Sequence, residues 1–136
     1  MGKASWFDAF PSILQAATLC RGLKLWRFFP LVLVDIGGIP SAENREICAS
    51  ATHAILLAGD MERLPEWRAF CEDLGISVVA EIHSDYHGTT DAVPILGSDG
   101  VYRGSVHHLE RGEPAHERPT VRALAELLVR LVADEK

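Results

Sequence analysis

Residues 76–82 read ISVVAEI, and residues 54–58 read AILLA. Both runs are short, nearly all apolar and rich in β-branched residues or leucine. A run this short is too brief for a helix buried all round. It fits a strand covered on both faces, the habit of parallel sheets. LVLVDI at residues 31–36 is a third run of the same kind. Helical segments lie between them. Asp60 can cap a helix with Leu64, Trp67, Phe70 and Leu74 on one face, and Gly75 supplies a left-handed stop. Ser41 can cap a shorter helix through Glu43, Asn44, Ile47 and Cys48. Strands alternating with helices imply right-handed βαβ crossovers. The spacing therefore predicts an α/β, Rossmann-like three-layer fold around a short, mostly parallel sheet.

Further along the chain, Val93–Leu96 and Val101–Val106 flank Gly97-Ser98-Asp99-Gly100, which reads as a hairpin. A final helix is expected from Pro119–Thr120, with Val121, Leu124, Leu128, Leu131 and Val132 on one stripe. Upstream, Trp6 to about Cys20 reads as a helix capped by Ser5 and kinked by Pro11. No linker or low-complexity run interrupts the chain. The expected organisation is one domain over residues 1–136, with a helical segment at 1–30, a sheet core with its hairpin at 31–118 and a helix at 119–134.

Composition bounds the function. The chain has 136 residues, 48% hydrophobic and 24% charged, a globular balance. No stretch approaches 20 apolar residues, so no membrane span is expected. Lys+Arg number 13 against 19 Asp+Glu, a formal charge of −6. Non-specific nucleic-acid binding needs a surplus of cations, which argues against a general nucleic-acid coat and leaves room for a local basic patch. Cys20, Cys48 and Cys71 are widely spaced, with no CxxC, which fits small core thiols in a reducing cytoplasm. The first residues carry no long apolar stretch of a signal peptide.

The three expected strands end at or near acidic residues: Asp35, Asp60 and Asp85. Open α/β sheets bind ligands outside the carboxyl ends of their strands. Three carboxylates at one rim would suit a cation or a cation-bridged phosphate; Asp35 and Asp60 read equally well as turn or capping residues. Asp35-Ile36-Gly37-Gly38 is the sharpest of these patterns. An apolar strand ending in Asp and followed by two glycines looks like a Walker-B strand end. In that arrangement the Asp holds Mg²⁺ and the glycines admit a terminal phosphate. The sequence contains neither GxxxxGK(S/T) nor GxGxxG, so it lacks the usual phosphate cradle.

Five of the six histidines lie beyond residue 80. His83, Asp85 and His87 alternate, and His107, His108 and His116 follow. Imidazole with carboxylate suits a divalent metal, and Asp35, His83, Asp85, His87, His107 and His108 are the candidate ligands. Hydrogen-bonded loop residues are the plainer reading of the same histidines. His83 or His107 could instead act as a general acid or base beside Asp85 or Glu110. Arg103, Arg111 and Arg118 flank the His-His pair as phosphate binders or as a solvated rim. Trp67 and Phe70 read as core.

The ordered segments DIGG, IPSAEN, THAILLAGD, LPEWRAFC, AEIHSDYHG, GSVHHLERG and RPTVRALAELL span roughly residues 30–132. Together they resemble the C-terminal half of the nucleotide-binding, AAA-type module fused to ring nucleases in type III CRISPR systems. More distantly the set is similar to the second half of dethiobiotin-synthetase/ParA-type P-loop NTPases. The resemblance implies a P-loop NTPase-like fold without Walker A, an antiviral setting and a nucleotide ligand such as ATP or cyclic oligoadenylate, with Mg²⁺ or another divalent ion. Asp35, Gly37 and Gly38 would face the γ-phosphate, and His83 to Asp85 the base or ribose. The candidate nucleotide contacts are Gly37, Gly38, Asn44, Asp60 and Arg111, with Asp35, His83 and Asp85 as candidates for chemistry. The phosphate-binding half and the ring-nuclease domain are missing, so neither hydrolysis nor ring cleavage carries over. An unpaired Leu31–Ile36 edge would call for a homo-oligomer or a partner chain supplying the missing half, with Leu23–Pro30 as cover or contact. Two other readings stand beside this one: a metal-dependent hydrolase or phosphodiesterase on the histidine cluster, and a structural interaction module.

Overall fold

The run at 76–82 lies in the longest strand of a four-stranded sheet. The structure, a computed structural model, describes residues 31–36 and 39–134. In chain order its elements are α1 (Ala42–Cys48), β1 (His53–Ala58), α2 (Leu64–Asp73), β2 (Ser77–Asp85), β3 (Ala92–Leu96), β4 (Tyr102–His107) and α3 (Pro119–Asp134). Short 3-10 turns occupy Met61–Arg63 and Ala115–Glu117. The chain divides into two compact units, residues 1–50 and 51–136.

In the second unit the sheet order is β1-β2-β4-β3. β1, β2 and β4 run parallel, and β3 closes the edge antiparallel to β4 through the expected hairpin. The α/β reading and the mostly parallel sheet with a C-terminal helix are thus observed. Neighbours along a strand point to opposite faces, which separates the two helices. Ala80 and Ile82 are fully buried and pack with Val106 and with Leu127 of α3. Glu81, between them, points the other way and pairs with Arg68 of α2. α2 and α3 therefore cover opposite faces, which explains why β2 is apolar on both sides.

Local signals set the element ends. Gly75, at φ 69°, takes the left-handed conformation that ends α2. Asp60 starts a 3-10 turn before α2, its carboxylate accepting from Glu62 N–H at 3.0 Å. Pro119 opens α3, where its missing N–H is not needed. Buried Thr120 donates its hydroxyl to Ser105 O (2.7 Å) and lies 3.2 Å from Ala92 O, tying that helix start to β4 and β3. Leu127 is the leucine of α3 that is buried, and it was not on the expected stripe. The helix presents Thr120, Leu124, Leu127 and Leu131 to the sheet, because a 3.6-residue period moves the contact row along this path.

One expected strand is corrected. Leu31–Ile36 forms no strand, and Leu31 to Val34 are exposed. Apolar composition alone does not make a strand; a neighbour must take its N–H and C=O groups. All four strands of the sheet come from residues 53–107, so Asp35 is not a strand-end residue. The case for a pairing partner at that edge falls with the strand. In the first unit, α1 forms as expected, with Ser41 Oγ accepting from Asn44 N–H at 3.1 Å. The expected helix at Trp6–Cys20, the Leu23–Pro30 segment, and Gly37 and Gly38 lie outside the described residues.

Candidate functional site

The parallel strands put their carboxyl ends on one edge. Ala58 pairs with His83 in register, and Asp85 pairs with His107. That edge therefore gathers Asp60 just beyond β1, His83 and Asp85 at the end of β2, and His107 and His108 at the end of β4. His83, Asp85 and His107 share one sheet face, since residues paired or two apart along a ladder point the same way.

Each carboxylate at the edge is half committed. Asp60 Oδ1 caps the 3-10 turn, and Asp85 Oδ1 accepts from His87 N–H at 3.2 Å. The cap reading of Asp60 is thus observed, and it leaves Oδ2 uncommitted, as at Asp85. Gly88 closes against this region. A Cβ there would lie 2.7 Å from Asp85 Oδ2 and 3.1 Å from His107 Cβ.

His107 is held by a residue the sequence reading did not single out. The Asp91 side chain, only 3% exposed, places Oδ1 2.6 Å from His107 Nδ1, 3.0 Å from His107 N and 2.8 Å from Arg118 Nη2. Arg118 also donates to the His107 carbonyl. Burial alone would push the Asp91 carboxyl up. The Arg118 guanidinium and the backbone and ring N–H groups of His107 outweigh it and hold the pKa down at about 2. Asp91 Oδ2 is buried with no hydrogen-bond partner.

His108 sits at φ 40°, in the left-handed region that few non-glycine residues adopt. Its N–H donates to Asp85 O (2.9 Å), and Nδ1 donates to Tyr86 O (3.0 Å). The Tyr86 and His108 rings lie 4.7 Å apart, tilted by 36°. The Tyr86 hydroxyl donates to Glu110 at 2.9 Å, which pushes that phenol's pKa up.

Other candidates lie in the first unit, are exposed or are already paired. Asp35 is exposed outside the sheet, and Asn44 belongs to the first unit, where its side chain donates to Ile39 O at 2.9 Å. His87, Arg111 and His116 are exposed. Arg103 and Arg118 do not form a cationic rim. Arg103 is clamped between Asp99 (2.7 and 2.9 Å) and buried Glu81 (2.9 Å), and Arg118 is committed to Asp91. Among the described residues, no three His, Cys, Asp or Glu side chains are placed to hold a metal ion, so the six-residue metal set does not assemble. Its members come from different strands and turns, and alternate spacing in sequence did not point them at one centre. Cys48 and Cys71 are buried, as expected for core thiols, and burial pushes the Cys48 thiol up. No helix of the described residues is long and apolar enough to cross a membrane.

Compared with family models, curated proteins and solved structures, the chain matches none.

Proposed function

We propose that the carboxyl edge of β1, β2 and β4 binds a nucleotide. The chain would act as a non-catalytic or partner-dependent nucleotide-binding accessory domain of a CRISPR-linked antiviral system. The observation that carries the reading is the register that sets Asp60, His83, Asp85, His107 and His108 along the carboxyl ends of three parallel strands, where open α/β sheets take their ligands. The antiviral setting and the relation to P-loop NTPases rest on the order of sequence motifs alone.

The donor set favours Mg²⁺ arriving with a nucleotide over a resident metal. Mg²⁺ needs one or two carboxylates and takes its other ligands from phosphates and water. Asp60 has one uncommitted oxygen for that purpose among the described residues. A dedicated protein cage would need a third ligand that the edge does not supply. With no phosphate cradle in the sequence and the nearby arginines occupied, the phosphates would depend on Mg²⁺ or on a partner chain.

Titration calorimetry with ATP and with cyclic oligoadenylate, each with and without Mg²⁺, tests this reading. Binding heat for one of them, enhanced by Mg²⁺ and weakened by Asp85→Ala, is expected. Absence of heat with every combination would remove the proposal.

A further inference from the structure

We infer that Asp85 and His107 form a pair of acceptors for the vicinal diol of a bound ligand, the ribose hydroxyls in the case of a nucleotide. The inference deepens the nucleotide reading and rests on it.

The argument starts at Asp91. An ionised carboxylate only accepts hydrogen bonds, so the 2.6 Å contact requires the His107 ring to donate from Nδ1. Arg118 Nη2 lies 2.9 Å from the same Nδ1. Both nitrogens carry hydrogen, so they converge on Asp91 Oδ1 and do not bond to each other. In the neutral ring the lone pair is then on Nε2. Nε2 has no partner among the described residues, and the side chain is 27% exposed, so a ligand can reach it. This arrangement keeps the Asp91 side chain buried while its Oδ2 stays unpartnered.

A neutral imidazole lone pair does not attract phosphate oxygens. It takes O–H or N–H donors. Its register neighbour Asp85 offers a second acceptor, Oδ2, one strand spacing away on the same face. Two acceptors side by side match two hydroxyls on adjacent carbons. An acidic residue beyond a parallel strand commonly takes a ribose hydroxyl in this way. Gly88 borders the pair. Its φ is not positive, so no backbone conformation demands glycine there. A methyl group at that position would press on Asp85 Oδ2 and His107 together. The glycine keeps the space beside the two acceptors open.

The test compares ATP with 2′,3′-dideoxy-ATP by calorimetry on the full chain, alongside ¹⁵N NMR of the imidazoles in the free protein. The wild type should bind ATP about tenfold or more tightly than the dideoxy analogue, from two hydrogen bonds of ordinary strength. His107→Phe should shrink that preference, and Gly88→Ala should weaken ATP more than the analogue. The free protein should show His107 protonated at Nδ1. Equal binding of the two nucleotides, or a proton on Nε2 with or without one on Nδ1, overturns the diol assignment and leaves the nucleotide reading standing. Binding of neither nucleotide overturns both. The ligand comparison and the NMR measurement use the wild-type protein, so a poorly folding variant does not decide the outcome.

Discussion

Asp91 gives the site its most definite electrostatics, and the consequence can be measured. Its folded pKa, about 2, lies below the ordinary 3.8. The stabilisation it contributes is therefore full above about pH 4 and is lost as the pH falls through about 2. The size is on the order of 2 kcal/mol. Urea midpoints of wild type and Asp91→Asn should differ most above pH 4 and converge near pH 2; a gap independent of pH would contradict the ion-pair account. Gly104 gives a second residue-scale prediction. A Cβ there would clash with Ala92 O and lie 2.9 Å from the Pro94 backbone, where β3 shifts register against β4. Gly104→Ala should cost about 1–3 kcal/mol by crowding backbone that cannot rotate away, read as a lower denaturant midpoint; an unchanged midpoint would show that the edge strand yields. The signal for Asp91 was present in the sequence. Pairing the hairpin outward from its turn, Leu96 with Tyr102 and Ile95 with Arg103, brings Asp91 within a residue of His107, the shift in β3 pairing Ala92 with Ser105. A residue sixteen positions away looks unrelated until that register is counted.

At the scale of elements, the strands that could be read were those with neighbours in the ladder. ISVVAEI is covered by α2 on one face and α3 on the other, whereas AILLA buries Leu56 and packs Ile55 against the core but leaves Leu57 exposed. LVLVDI has the same composition but no place in the ladder, and composition cannot report a missing neighbour. Glu81 is the exception inside ISVVAEI. Its carboxylate is held low chiefly by the Arg68 guanidinium, then by Arg103. Among the described residues the expected helices formed because caps and stops are local: Ser41, Asp60, Gly75 and Pro119 each act within one turn. The contact row of α3 was less legible, since a stripe of leucines does not say which of them meets the sheet. Leu127→Ala should cost about 2–5 kcal/mol. Leu128→Ala, at a half-buried position, should cost less than half of that, and equal losses in thermal or urea unfolding would contradict the assigned row.

For the whole molecule, the useful expectation was that parallel strands deliver their ends to one edge. It holds for Asp60, His83 and Asp85, and adds His107 and His108. It fails for Asp35, because the strand assumed to carry it does not exist. The metal cluster failed for a related reason. Alternation along one segment says which side residues share, but a metal site needs donors from several segments aimed at one point. What remains is an edge of paired acceptors, with Arg118 beside it already neutralised by buried Asp91. Amide and imidazole chemical-shift mapping during a titration with Mg²⁺-ATP tests this account most directly. It predicts saturable shifts at Asp60, His83, Asp85, Tyr86, His107 and His108, with α3 unmoved. Shifts confined to other surfaces, or none at saturating nucleotide, would contradict it.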